Sequence, residues 1–364
     1  MNNKLRILII TPTYLPAYHV GGPVFQIKKF SNLLKKKKID YKIITSTESL
    51  ILSKKKEKNV LYFNSYFRNL YLSFSLILFF IKNIKSYNKV YIVSCFNFFS
   101  TISCFLCRIY KIDYFLSPRG SLMKGSINIK NKFLKIIWIF FFERQNINYA
   151  KKIIFSSNFE KKETIKVVEV KKFNIIQNFL QCSIAKNIKS KKNYLLYLGR
   201  IHPKKNIHKI IEAYPKKFDY KIKLIGPGNN DYILQLKKLI SLKKLNNCIS
   251  ILKPVYNNSK NNIFAEAQYS ILLSETENFG NTILESILNF TPVIISKNTG
   301  LSNIIKKYKA GYIINNSIKS LKNTFAKIQK KNIHKISKNT IKRIAVIFDE
   351  NKIINNYLKA FNAR

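Results

Sequence analysis

The chain has 364 residues, 46% hydrophobic and 13% aromatic, with a formal net charge of +49. It is too long for one ordinary core and too apolar for a disordered tail, so two domains with sizeable cores are expected. Only eight of its 66 basic residues are arginine, and no basic arm or recognised module accompanies them, which argues against a dedicated nucleic-acid binder.

In chain order, the apolar run Leu5–Thr11 stops at Pro12 and suits a first central strand. Gly21-Gly22-Pro23 then opens a helix to about Lys38, with proline at a tolerated first-turn position. This is not the G-x-G-x-x-G fingerprint, so NAD is not implied. Strands are predicted at Tyr41–Ser46, Val60–Asn64, Val90–Ser94, Tyr114–Ser117, Ile153–Ser156 and Phe173–Gln177, with helical stretches between most of them. Such alternation predicts a doubly wound parallel sheet. Ligands in such sheets bind beyond the carboxyl ends of the strands, so the loops carrying Gly21-Gly22 and Ser117-Pro118-Arg119-Gly120 are expected to face a cleft.

Two apolar stretches in this half do not read as membrane spans. Leu70–Ile81 is too short to cross. Val90–Cys107 is diluted by Ser94, Asn97, Ser100, Thr101 and Ser103, and fits a strand, a loop and a helix over Phe99–Tyr110. Cys104 and Cys107 stand in that apolar helix with no second pair, so both read as core residues. Five cysteines and no secretory signal fit a reducing, cytoplasmic setting, and four scattered histidines offer no metal cluster. From Lys130 to Arg144, Trp138 and Phe140–Phe142 lie among Lys130, Lys132, Lys135 and Arg144. That mixture suits a helix seated on a membrane interface, or one packed into the first domain with a solvated lysine edge.

The pattern lapses into a polar, lysine-rich linker from Asn178 to Lys192. A second set of strands follows at Tyr194–Leu198, Tyr220–Ile225, Ile249–Leu252, Tyr269–Leu273, Val293–Ser296 and Gly311–Ile314. The prediction is two tandem Rossmann-like domains, 1–182 and 183–339. A last helical stretch, about 340–364, is expected to return to the first.

Three motifs in the second half carry chemistry. Gly199-Arg200 through Lys205 follows a strand and precedes a helix. One arginine and two lysines there would clamp a diphosphate, the arginine bidentately and the lysines as compact charges. Gly226-Pro227-Gly228 forms a tight turn expected to let a base or ribose approach the backbone. Ser274 through Glu285 joins a buried strand to a helix. Amides of Gly280, Asn281 and Thr282 at that helix start suit an anion, and Glu277 and Glu285 could bracket one ligand at different depths.

This ordered set resembles the retaining GT-B glycosyltransferases of family 4, or group 1. Pro12-Thr-Tyr-Leu-Pro16 with Gly21-Gly22 is similar to the family's amino-terminal acceptor loop. Ser117-Pro-Arg-Gly120 resembles a turn of members that build surface polysaccharides. The resemblance implies two domains facing each other across a cleft, the second binding a nucleotide diphosphate sugar. Arg200 and Lys205 would hold the diphosphate and stabilise the charge developing on it, with Glu277 on the sugar hydroxyls and Glu285 on the ribose. Gly199, Gly226, Gly228, Phe279, Gly280, Asn281 and Thr282 would line the donor site, and Gly21, Gly22, Arg119 and Gly120 the acceptor side. It implies retention of configuration and no required metal or cofactor. The acceptor would be a glycan or lipid-linked glycan of capsule, O-antigen or exopolysaccharide synthesis, with the enzyme in the cytoplasm or peripheral on its membrane. Departures are Arg119 where many relatives have His, Asn278 and Asn206 where Gly is commoner, and Asn178-Phe179 in place of an Asn-Gly turn.

Readings kept open are a GT-B sugar-nucleotide epimerase or hydrolase and a non-catalytic basic protein binding membrane or nucleic acid. The lysine excess, in a chain crowded with Asn, Ile, Phe and Tyr, reads as coding bias toward A/T-rich codons. Whatever its origin, such charge attracts anionic membranes and phosphorylated substrates.

Overall fold

The structure, a computed structural model, describes residues 5–17, 21–50, 56–67, 70–128, 131–180, 190–255, 258–330 and 335–362. Lys130 and most of the predicted linker, 181–189, lie outside these. The chain divides into a unit of Met1–Phe179 with Glu350–Arg364, and a unit of Leu180–Asp349.

The first unit begins with β1 (Arg6–Ile10), α1 (Gly22–Lys36), β2 (Asp40–Ser46), β3 (Val60–Phe63) and α2 (Phe74–Asn83). It continues with β4 (Lys89–Val93), α3 (Phe98–Ile109), β5 (Tyr114–Ser117), α4 (Lys124–Ile127), α5 (Lys132–Trp138) and α6 (Arg144–Asn148). Then come β6 (Lys152–Phe155), α7 (Asn158–Ile165) and β7 (Phe173–Ile175). The seven strands are parallel, in the order β3-β2-β1-β4-β5-β6-β7. Strands buried on both faces need apolar residues at every position, which is why β1 and β4 read as continuous apolar runs.

Period-two alternation assigns the two faces. Leu8, Ile10, Val90 and Ile92 share one core with Phe80 of α2 and with Phe99, Cys104 and Cys107 of α3. Burial pushes both thiols up, so they behave as core apolar groups. Tyr91 and Phe115, on the alternate positions, meet aromatic rings of α1 and of the chain's last helix.

The second unit contains β8 (Tyr194–Leu198), α8 (Ile207–Glu212), β9 (Lys221–Ile225), α9 (Asn230–Leu242), β10 (Ile249–Leu252) and α10 (Asn258–Glu266). It continues with β11 (Tyr269–Leu272), α11 (Asn281–Leu288), β12 (Val293–Ser296), α12 (Ser302–Tyr308), β13 (Gly311–Ile314) and α13 (Ile318–Gln329). Its six parallel strands run β10-β9-β8-β11-β12-β13.

Two expectations are corrected. The stretch from 340 to 364 is two helices, α14 (Lys338–Ile347) and α15 (Glu350–Asn362), with the unit boundary between them. Phe348 is fully buried against Phe279 and ends α14 in the second unit. Glu350 starts α15 in the first, where that helix packs on α1 and Lys29 pairs with Glu350 (2.5 Å). From 131 to 148 the chain is also not one α-helix: a π-helical turn, Ile139–Glu143, separates α5 from α6. Among the described residues no helix is long and apolar enough to cross a membrane.

Candidate functional site

In the second unit the chain runs outward from β8 through β9 to β10, then returns to the other side of β8 as β11. In open parallel sheets such a reversal is where a ligand crevice is expected, beyond the carboxyl ends of the two strands.

The glycines come first because they set how closely the loops approach. The Gly199 amide donates to Ile225 O (3.0 Å) and the Ile201 amide to Pro227 O (2.7 Å). A Cβ on Gly226 would stand 1.9 Å from Gly199 O, and one on Gly228 would stand 2.8 Å from Ile201 Cβ. The β8 loop therefore lies against the Cβ side of both glycines. They serve backbone packing between the β8 and β9 loops.

After β8 a short turn, Pro203–Lys205, is capped by His202, whose Nδ1 accepts from the Lys204 amide (3.2 Å). Asn206 is left-handed (φ 51°), a conformation that Asn tolerates better than most residues, and its Nδ2 donates to Leu273 O (2.9 Å). The Glu275 amide donates to Lys204 O (2.9 Å). Through these bonds the β8 and β11 loops become one assembly.

Side chains complete it. Lys205 Nζ donates to Ser274 Oγ (3.2 Å) and pairs with Glu277 Oε2, which also accepts from Ser274 Oγ (3.0 Å). Lys205 and Glu277 are each 19% exposed, so a ligand can reach both. Main-chain bonds pin Glu277 to the turn after β12, from its amide to Asn298 O and from the Gly300 amide to its carbonyl, each 2.9 Å. Arg200 is exposed, with its carbonyl held by Tyr197 OH (2.7 Å). Burial, then the charges of Arg200, Lys204 and Lys205, lower the His202 pKa.

Gly280 is left-handed (φ 87°), and no side chain caps the α11 start that it opens. Backbone amides there meet the positive end of the helix dipole. Asn281 and Thr282 form the first turn. Phe279 is buried, edge-on to Phe348 of α14 at 5.8 Å, so its ring anchors the loop. Glu285 is 3% exposed on α11 and pairs with Lys260 of α10. Burial pushes its carboxyl up, and Lys260 opposes the shift.

The first-unit candidates divide. Gly21 (φ 86°) precedes α1 with open space on its Cβ side, and Gly22 is the first helical residue. Arg119 is instead engaged inside the unit: its guanidinium donates to Asn178 Oδ1 (2.6 Å), Tyr91 OH (2.9 Å) and Tyr357 OH (3.2 Å). It ties β4 to α15, and Asn178 takes part in that tie. Phe179 exchanges two hydrogen bonds with Gln26 (2.7 and 2.9 Å). The Gly120 amide donates to buried Glu160 (2.6 Å).

Lys260 and the bridging role of Ser274 were not foreseen. Lys260 precedes Glu285 by 25 positions on another helix, and only α10 packing on α11 joins them. Among the described residues no three His, Cys, Asp or Glu side chains gather as a metal site.

Residues 182–344 match the family model described as glycosyl transferases group 1. The O-antigen chain mannosyltransferase RfbU of Salmonella typhimurium LT2 is 26% identical over 168 residues, 46% of this chain and 48% of that protein. The match thus spans about half the length of that curated relative. Sucrose-phosphate synthase of Thermosynechococcus elongatus superposes with a TM-score of 0.76 at 14% identity, over 99% of this chain and 100% of that one. Anabaena Alr3699/HepE, solved with UDP and glucose, gives 0.73 at 15% identity, over 99% and 100%. The fold is that of these solved structures, GT-B, with two parallel-sheet α/β domains.

Proposed function

We propose that the protein transfers a sugar, with retention of configuration, from a nucleoside diphosphate sugar to a glycan or lipid-linked glycan acceptor. The observation that carries this is the single assembly at the β8–β11 reversal. Its hydrogen bonds join the loop carrying Arg200, Lys204 and Lys205 to the loop carrying Glu277 and an uncapped helix start.

Each group then has a task. Arg200 and Lys205 take the diphosphate, which leaves with the electron pair of the sugar–phosphate bond, and their charge stabilises it as it departs. Drawing Lys205 toward phosphate would release Glu277 for the sugar hydroxyls. Glu285, oriented by Lys260, accepts from the ribose hydroxyls. Amides of Phe279, Gly280 and Asn281 complete the cradle. The reading includes no resident metal or cofactor, since the two cations supply the positive charge. The O-antigen mannosyltransferase among the relatives supports a surface glycan as product.

The test is melting temperature against a panel of nucleoside diphosphates and nucleotide sugars at low salt. A ligand that binds only the native state at about 100 times its Kd adds roughly 2.7 kcal/mol. One base should raise the melting temperature, and Arg200→Ala should remove most of that shift. A panel without any shift would sink the reading, and sugar released without acceptor would mark a hydrolase instead.

A further inference from the structure

Helices α2, α3 and α6 and the π-helical turn cover one face of the first sheet, over the core containing Leu8, Val90, Cys104, Ile139 and Ile147, and α5 leads into that turn with no buried residue of its own. They adjoin in series: α2 packs on α3, α3 on α6, and the π-helical turn joins α6 to α5. Their outward side is apolar. Of the 22 large hydrophobic side chains exposed among the described residues, 16 fall between Tyr66 and Tyr149. Phe74 and Leu78 on α2, Phe133 on α5, and Phe140 and Phe141 on the π-helical turn are each about 60% exposed or more. Patches this rich in aromatic rings mark an interaction surface.

The outward display is built from within. Ile139 and Glu143, at the two ends of the π-helical turn, are buried, leaving Phe140, Phe141 and Phe142 outside in succession. The Glu143 carboxylate accepts from the Phe96 amide (2.9 Å), Trp138 Nε1 (3.3 Å) and Asn146 Nδ2 (3.2 Å). Wide turns of this kind inside α-helices are frequent at functional positions.

Charge identifies the partner. Residues 66–149 carry 12 Lys or Arg and two acids, Asp113 and Glu143. Glu143 is buried, and Asp113 is paired with Lys89 (2.7 Å) and Lys151 (3.9 Å). Arg144 lies over the Phe140 ring (5.4 Å), and Arg108 over Phe105 (5.5 Å) and Tyr149 (5.3 Å). Lys82, Lys85 and Lys132 are exposed. Aromatic side chains rimmed by cations match an anionic lipid surface, where rings enter the headgroup layer and cations meet phosphate. A second copy of the chain would bring basic rim against basic rim.

We infer that this face docks the protein on an anionic bilayer. The inference stands on the first unit alone and does not rest on the sugar-transfer reading. Trp138 is the chain's single tryptophan, and it lies 4.9 Å from Phe142. Its emission therefore reports from the patch in the unmodified protein.

The experiment adds vesicles of phosphatidylcholine, alone or mixed with phosphatidylglycerol, and measures co-sedimentation and Trp138 emission. Mixed vesicles should bind the protein, shift the emission to the blue and quench it when their acyl chains are brominated. The pair F140S/F141S should lose most vesicle binding with an unchanged melting temperature, and K132E/R144E should weaken it severalfold. No co-sedimentation with mixed vesicles would overturn the inference. So would co-sedimentation with unaltered Trp138 emission, which would mean attachment through lysines elsewhere. A blue shift that grows with protein concentration in the absence of lipid would assign the face to a second copy.

Discussion

At the residue scale the site depends on side chains with two tasks. Asn206 supplies a left-handed backbone and a buried hydrogen bond to Leu273. Asn206→Ala is expected to cost about 2–3 kcal/mol from the φ penalty and the lost bond together, and Asn206→Gly less, in urea unfolding. Glu285 makes binding and stability oppose each other. Burial raises its folded pKa, so its favourable contribution to stability is fully present below the ordinary glutamate pKa and is lost as pH rises through the raised value. The ionised carboxylate is the stronger acceptor for ribose hydroxyls, so nucleotide affinity should climb across that same interval. Glu285→Gln should flatten the climb when affinity is followed against pH, while Lys260→Met should move it to higher pH.

At the element scale, parallel strands were legible because burial on both faces demands apolar runs bounded by turn residues. Tyr194–Leu198, Val293–Ser296 and Gly311–Ile314 have the same bounds in sequence and structure. The break between α14 and α15 was not legible, because Asp349 and Glu350 look like an exposed helix edge until Phe348 is seen buried in the other unit. Gly226 shows the same limit: its glycine character is plain in sequence, but the neighbour that requires it is not. Gly226→Ala would drive a methyl into Gly199 O and separate the β8 and β9 loops. A loss of about 3 kcal/mol or more is expected, read as a large fall in melting temperature.

At the scale of the whole molecule, the +49 charge acts on every anionic ligand. Its diffuse part is screened beyond a Debye length of roughly 10 Å at 0.1 M salt. Direct contacts from Arg200 and Lys205 should persist. Nucleoside diphosphate affinity should therefore fall with salt to a plateau, and Arg200→Ala should lower that plateau about 10- to 100-fold, consistent with one charged hydrogen-bonding group. A salt titration of both proteins by calorimetry checks this. By itself the sequence determined two alternating α/β sets, the positions of most strands, and the loops in which Arg200, Lys205, Glu277 and Glu285 occur. Strand burial and helix periodicity are local patterns that neighbouring residues carry. Only the tertiary structure decided that Ser274 joins Lys205 to Glu277, that Lys260 faces Glu285, and that Arg119 is turned inward to Tyr91, Asn178 and Tyr357. Those partners come from distant segments, and strand order and helix packing alone bring them together.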